Sequence, residues 1–518
     1  MSAAPCLMVQ GTASGVGKSL LAAAFCRIFA RAGYRVAPFK SQNMALNAAV
    51  TLDGGEIGRA QAAQAAAAGI EPTVDMNPIL LKPEPGYRSQ VVVRGRAVAR
   101  ATWREYQAMQ AELLPIVAES LARLRRACDL VIIEGAGSPA EINLRDSDIV
   151  NMAVARMAEA PVVLVGDIER GGVFAALLGT LALLDPADRA RVGGLIVNRF
   201  RGDATILTPG LAELGARAGV PVLGVVPYLD TRLVPSEDSL DLDERSRWGA
   251  PGVIDVAVVR LPLISNFDDL EPLASEPGVG VRFVERADQL RDADVVVLPG
   301  SKSTVADLQW LFATGLARAI ERAAADGRPV VGLCGGYQML GEAVHDPDRV
   351  ESDAPSTRGL GLLPVVTTFA REKTTVRVRA RVAGTCRLFS GAAGTDVAAY
   401  EIHAGRTTSS APSPFTIVER GGAPVRDADG AVSGAGHVVG TYLHGLFAND
   451  ALRRAFLASL ADRKGVASDP RWGAPPSDRY RELADAVARA VDMDAVAKLA
   501  GLTFPRRWAP RSRNPLSC

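Results

Sequence analysis

Two short stretches of the chain carry residue types and spacings able to do chemistry. The first is Gly11-Thr12-Ala13-Ser14-Gly15-Val16-Gly17-Lys18-Ser19. Small residues let a backbone wrap around phosphate oxygens with successive N–H groups pointing inward, and a helix that opens there adds its partial positive charge. In that setting Lys18 neutralises the β- and γ-phosphates and the hydroxyl of Ser19 holds Mg²⁺. Gly11 lies six residues before Gly17, one more than in the usual phosphate loop. The second stretch is Val330-Val331-Gly332-Leu333-Cys334-Gly335-Gly336-Tyr337-Gln338, an apolar run ending in a cysteine followed by two glycines. A sharp strand-to-helix turn exposes such a thiol, and small neighbours tolerate the backbone it needs. The helix start favours the thiolate, and the N–H of Gly335 faces a developing oxyanion. Gly300, in Leu298-Pro299-Gly300-Ser301-Lys302, offers a second oxyanion donor.

A cysteine nucleophile needs a base, and the chain has four histidines. His444 ends the apolar run Val438 to Leu443, where a loop can aim it at Cys334. His403 lies in an alternating, strand-like segment and reads as structural or substrate-facing, whereas His345 and His437 fall in polar turns. No paired-cysteine, HExxH or EF-hand pattern points to a structural metal.

These residues must be held by regular elements, and the hydrophobic pattern supplies them. Leu7 to Gln10, Val131 to Ile133, Pro161 to Val165, Gly194 to Val197 and Val222 to Val226 are short apolar runs bounded by turn residues. Strands buried on both faces look like this, so a parallel sheet with helices between its strands follows. The Ala-rich segment 60–69 predicts a helix. From 231 to 251 the chain turns polar and reads as a linker. A second α/β unit begins near Val253 and continues through Val295 to Leu298 and Pro329 to Leu333. The expected division is an ATP-binding domain over 1–230, a linker over 231–251, a second domain over 252–450 and a helical extension and tail over 451–518. Within the extension, Tyr480 to Val491 is the clearest amphipathic stretch, and the Arg- and Pro-rich tail from Pro505 is expected to be poorly ordered.

Bulk composition narrows the function classes. Fifty-eight basic residues against fifty-seven acidic ones leave no global field to attract nucleic acid or an anionic membrane. The longest uncharged stretch near the middle, Gly171 to Leu184, is too short to cross a bilayer, which needs about 20 residues. Six unpaired-looking cysteines and no leader-like N-terminus suggest a cytoplasmic protein.

The G-T-x-S-x-x-G-K-S spacing resembles the dethiobiotin synthetase-like branch of phosphate-loop proteins. That resemblance implies ATP as substrate, a catalytic Lys40 ending Val36-Ala37-Pro38-Phe39-Lys40, an Mg²⁺-binding Glu134 ending Val131-Ile132-Ile133-Glu134, and an adenine contact from Asn198. Gly11, Thr12, Gly15, Gly17, Lys18 and Ser19 would then hold the nucleotide. Gly-Leu-Cys-Gly-Gly-Tyr-Gln together with Thr-Tyr-Leu-His-Gly resembles class I glutamine amidotransferases, which hydrolyse L-glutamine through a cysteine thioester. One position departs: most of that family carry Glu two residues after the histidine, and here that place is Leu446. The two resemblances in this order are those of the cobalamin-pathway amide synthases. Phe39 to Asn47, Asp53 to Gln61, Glu134 to Leu144 and Asp167 to Gly172 resemble their cobyric acid synthase branch. The resemblance implies two three-layer α/β domains, the first with a mainly parallel sheet. It also implies ATP- and glutamine-dependent amidation of four peripheral carboxylates (b, d, e and g) of cobyrinic acid a,c-diamide, and it is compatible with a homo-oligomer. The rival expectations are cobyrinic acid a,c-diamide synthase and an ATPase switch carrying an inactive amidotransferase domain.

Overall fold

A computed structural model describes residues 3–229, 247–248, 252–475 and 478–504. The expected linker and the tail from Pro505 lie outside the described residues, apart from Arg247–Trp248. The described residues form two compact units, and neither is one continuous stretch. The first comprises Met1–Ala45, Ile57–Ser236 and Ser477–Cys518, and the second Leu46–Glu56 and Glu237–Pro476.

The first unit is built on six parallel strands: β1 (Cys6–Gly11), β2 (Val36–Phe39), β3 (Leu130–Glu134), β4 (Val162–Asp167), β5 (Val192–Phe200) and β6 (Val222–Pro227), in the order β6-β5-β4-β1-β3-β2. Side chains alternate across a strand, and the core divides accordingly. Leu7 and Val9 pack on one face with Phe25 and Phe29 of helix α1 (Lys18–Arg31), whereas Cys6 and Met8 join the opposite face. That opposite face is covered by Tyr106, Leu113, Val117 and Leu121 of helix α2 (Trp103–Ala127). Order reverses at β1, so the turn after β1 opens into a crevice at the carboxyl ends of the strands, where α/β sheets bind ligands.

The helical extension divides between the units. Asp450–Lys464 packs in the second, while α3 (Arg479–Ala490) and α4 (Met493–Leu499) belong to the first. The apolar stripe of α3 puts Leu483, Ala484 and Val487 into the same core as Leu7 and Phe25, together with Val491 and Val496. Arg31 pairs with Asp485 at 2.7 Å along the seam.

The second unit contains, in chain order, β7 (Arg247–Trp248), β8 (Ile254–Val259), β9 (Val279–Val284), β10 (Val295–Leu298), β11 (Val330–Leu333), the long hairpin of β12 (Val365–Val382) and β13 (Asp396–Ser409), then β14 (Ala431–Val432) and β15 (Val438–Thr441). Its main sheet runs β7-β9-β8-β10-β11-β15-β14, parallel except at the two edges. Both units are therefore the α/β folds expected from the apolar runs. No helix among the described residues is long and apolar enough to cross a membrane.

Candidate active sites

In the first unit the phosphate-loop residues follow β1 directly. Gly15 and Gly17 have φ of 72° and 100°, conformations a side chain would strain. At Gly17 the constraint is also steric, because a Cβ there would lie 2.1 Å from Nδ2 of Asn198. That Nδ2 donates to the carbonyl of Val16 at 2.8 Å, so Asn198, from β5, braces the loop from beneath. Lys18 opens α1 and its Nζ donates to the carbonyls of Ala13 at 2.8 Å and Gly137 at 2.9 Å.

Strand register explains the rest. Phe39 of β2 lies opposite Ile133 of β3, so the next residues, Lys40 and Glu134, emerge side by side at the carboxyl end of the sheet. Nζ of Lys40 meets Oε1 of Glu134 at 2.9 Å in a buried ion pair. The same oxygen accepts the hydroxyl of Ser19 at 2.8 Å. Ser19, Lys40 and Glu134, separated widely in sequence, thus converge on one point beside the phosphate loop. The oxygen donors of Ser19 and Glu134 suit Mg²⁺, a hard cation that takes one or two protein oxygens and completes its shell with phosphate and water.

One member of this cluster was not foreseen. Gln64, on the Ala-rich helix Arg59–Ala68, is fully buried and donates to Oε2 of Glu134 at 2.5 Å. Two glutamines three apart in a helix that is otherwise alanine after Arg59 were the available signal. Asn151 was also missed. Its amide bonds both the N–H and the carbonyl of Ala136, at 3.2 and 2.7 Å, and so fixes the loop carrying Gly137. A cavity of about 290 Å³ in this unit is lined by Gln42, Trp103, Gly137, Asp148, Asn151 and Arg156, among others.

In the second unit Cys334 sits between β11 and the helix Gly335–Leu340, with φ of 50° and ψ of −106°. A non-glycine residue with positive φ is costly, and it survives where the surroundings fix it. Here the N–H of Cys334 donates to the carbonyl of Thr441 at 2.8 Å. The glycines around it are steric necessities: a Cβ on Gly336 would lie 2.0 Å from the carbonyl oxygen of Leu298, and one on Gly335 would lie 2.9 Å from the N of Ser301. The 298–302 loop therefore lies against the nucleophile turn. Asp307 accepts the hydroxyl of Ser301 at 2.6 Å and the N–H of Leu263 at 3.2 Å, and burial pushes its carboxyl up to about 7.

His444 follows β15 and lies near enough to Cys334 for that side chain to act on its imidazole, while Sγ of Cys334 donates to the carbonyl of Ile402 at 3.4 Å. Its Nδ1 lies 2.6 Å from Oδ2 of Asp269, and both side chains are buried. Burial alone would lower the pKa of His444, but the charges of Asp269 and Cys334 outweigh it and raise the imidazole to about 10. Asp269 was missed, since a pair of aspartates in the polar turn Asn266-Phe267-Asp268-Asp269 reads as solvated surface. Of the other histidines, His403 stacks on Tyr442 at 3.8 Å between ring centres. His345 ends a strand rather than lying in a turn, and His437 bonds the carbonyl of Ala324.

Comparison with known proteins gives one match to each half of the chain. Residues 7–238 match the CobQ/CobB/MinD/ParA nucleotide binding domain, and residues 255–452 match the CobB/CobQ-like glutamine amidotransferase domain. The chain is 56% identical over 514 residues to a cobyric acid synthase of Sorangium cellulosum, covering 96% of this chain and 98% of that protein. It is 49% identical to the cobyric acid synthase of Moorella thermoacetica, covering 98% and 99% respectively. It is also 49% identical to one of Dehalococcoides mccartyi strain CBDB1, covering 95% and 97%. With such identity along nearly its whole length, the chain belongs to the cobyric acid synthase family.

Proposed function

We propose that this chain converts cobyrinic acid a,c-diamide to cobyric acid by amidating its b, d, e and g carboxylates, with ATP and L-glutamine as co-substrates. The observation that carries this reading is the presence of two complete, separate constellations in one chain: Ser19, Lys40 and Glu134 beside the phosphate loop, and Cys334 with His444 at the nucleophile turn.

A carboxylate resists ammonia because oxide is a poor leaving group. In the first unit the carboxylate oxygen attacks the γ-phosphorus of ATP, giving an acyl phosphate and ADP. Gly11, Thr12, Gly15 and Gly17 supply the loop around the phosphates. Lys18 and Lys40 carry positive charge towards the oxygens on which negative charge builds. Ser19 and Glu134 would hold Mg²⁺, which when bound neutralises phosphate charge. Asn198 has its Nδ2 committed to the loop, which leaves Oδ1 as the atom for an adenine amino group. The cavity lined by Trp103 and Gly137 adjoins the phosphate loop, because the carbonyl of Gly137 accepts from Nζ of Lys18, and it is the place this reading gives the carboxylate arm of the corrinoid.

In the second unit the thiolate of Cys334 attacks the carboxamide carbon of glutamine. The N–H groups of Gly335 and Gly300 stabilise the oxyanion. His444 gives the leaving nitrogen its proton, ammonia departs, and water activated by His444 hydrolyses the thioester to glutamate. The ammonia then displaces phosphate from the acyl phosphate, leaving an amide. The test is incubation of purified protein with ATP, glutamine and cobyrinic acid a,c-diamide, followed by product mass. Four successive losses of about 1 Da, each an OH replaced by NH₂, are expected. Turnover of cobyrinic acid in preference to its diamide would refute the substrate assignment.

A further inference from the structure

His444 has no acid two positions downstream, because that place is Leu446, which is buried and apolar. A histidine whose ring is unbraced can rotate, and either nitrogen can carry the proton. We propose that Asp269 is the positioning residue that fixes the ring and the proton of His444, completing the Cys334–His444 pair from a separate segment of the chain. This inference rests on the glutamine-hydrolysing half of the proposed function.

The geometry assigns each atom. An ionised carboxylate only accepts hydrogen bonds, so the 2.6 Å contact between Oδ2 of Asp269 and Nδ1 of His444 puts a hydrogen on Nδ1. The remaining ring nitrogen, Nε2, is then the one that exchanges a proton with Cys334. The second oxygen of Asp269 accepts the N–H of Gly445 at 2.8 Å. One carboxylate thus ties down both the imidazole and the backbone that leaves it. On the other side Tyr400 stacks on the imidazole, with ring centres 5.2 Å apart and planes 17° from parallel. The backbones of Tyr400 and His444 exchange two hydrogen bonds of 2.9 and 3.2 Å.

Asp269 is itself immobilised. It lies in the turn Phe267–Leu270, where Phe267 is buried against Trp248 and Phe283. The preceding Asn266 accepts the N–H of Ala48 at 3.3 Å and donates to the hydroxyl of Tyr400 at 3.1 Å. The acid and the stacking ring are therefore braced by one asparagine. The charges acting on His444 are those of Asp269 and Cys334. When the thiol proton moves to Nε2, the imidazolium that forms faces a carboxylate already in place. The proton waits there until the departing ammonia takes it.

The test is Asp269→Asn in the full chain, which keeps size and an acceptor but removes the charge. Glutamine-dependent kcat should fall roughly 10²–10⁴-fold, the range for losing effective acid–base catalysis, with little change in the KM for glutamine. Alkylation of Cys334 by iodoacetamide, followed by mass spectrometry against pH, should shift to higher pH because the neutral amide no longer supports the imidazolium. Ammonia-dependent synthesis reports that the chain is folded. An unmoved alkylation profile with near wild-type glutamine turnover would overturn the proposal. Should the variant fail to fold, the wild-type protein decides. The ¹⁵N signals of His444, assigned by their absence in His444→Gln, should show a protonated Nδ1 wherever glutamine is hydrolysed. A bare Nδ1 with the proton on Nε2 would overturn it. Glutamine hydrolysis and alkylation need no corrinoid, so a wrong corrinoid assignment would leave both readouts interpretable.

Discussion

Lys40 and Glu134 meet at 2.9 Å as a buried ion pair, and the oxygen that receives the ammonium also receives the hydroxyl of Ser19. Glu134 thereby joins the phosphate-loop helix to the neighbouring strand, and Gln64 holds its other oxygen. A single carboxylate organises the corner of the sheet where phosphate chemistry would take place.

Replacing that carboxylate should be costly twice over. In Glu134→Gln the ammonium of Lys40 loses this partner in a buried place, and breaking such a pair costs about 3–5 kcal/mol. Thermal unfolding of the first unit should move down measurably, and amide synthesis should fail with ammonia as well as with glutamine. A variant with wild-type melting and wild-type ammonia-dependent rate would refute the role of the pair.

The carboxylate-activating site and the glutamine-hydrolysing site should separate cleanly by nitrogen source. Cys334→Ala is expected to abolish glutamine-dependent synthesis and leave ammonia-dependent synthesis standing. Lys18→Ala should remove both, by about 2.7–4 kcal/mol of transition-state stabilisation or more. Measuring both variants with both nitrogen sources checks this, and loss of ammonia-dependent synthesis in Cys334→Ala would show the sites are not independent.

The raised pKa of His444 has a stability consequence with a definite sign. The folded chain keeps on His444, up to about pH 10, a proton that the unfolded chain releases near 6.5. The stabilisation that Asp269 and Cys334 together give the protonated His444 is therefore full below about 6.5 and is lost as pH climbs towards 10. The difference in melting temperature between wild type and His444→Gln should shrink across that window. A difference constant from pH 6.5 to 10 would contradict the pairing.

Removal of the last helices should damage the unit they are farthest from in sequence. A chain ending at residue 475 lacks Leu483, Val487, Val491 and Val496, all buried against the α1 face of the first unit. Each buried aliphatic side chain contributes roughly 1.5–3 kcal/mol, so the loss rivals the typical 5–15 kcal/mol stability of a domain. Ammonia-dependent synthesis should disappear, and limited proteolysis should cut within the first unit. Persistence of that activity would show the helices to be dispensable.

Much of this arrangement was legible in the residues. The continuous apolar runs from Val131, Val162, Leu195 and Val222 became buried parallel strands because burial on both faces leaves no place for a polar alternation. Lys18, Ser19, Cys334 and His444 stood out because each sits at a strand end or turn whose shape favours particular residue types, whereas Lys40 and Glu134 were singled out through the resemblance to the dethiobiotin synthetase-like branch. Asp269 was not readable, as its partner is 175 residues away and a polar turn looks the same whether it faces water or an imidazole. Gln64 was hidden for a related reason: helix propensity says nothing about which side chain of a helix reaches a carboxylate. The crossing of Leu46–Glu56 and of α3 into units remote in sequence also leaves no local mark, because an amphipathic stripe shows that a partner exists without naming it.

The interleaving of the two units sets an order on the ribosome. The second unit has all its parts once residues near 475 have been made. The first has produced its phosphate loop hundreds of residues earlier, yet part of α1 and of β6 stays uncovered until α3 and α4 emerge. The half that begins first is thus finished last. A nascent chain stalled near residue 476 would carry a complete glutamine-handling fold and a nucleotide fold still lacking part of its cover, the kind of surface chaperones bind.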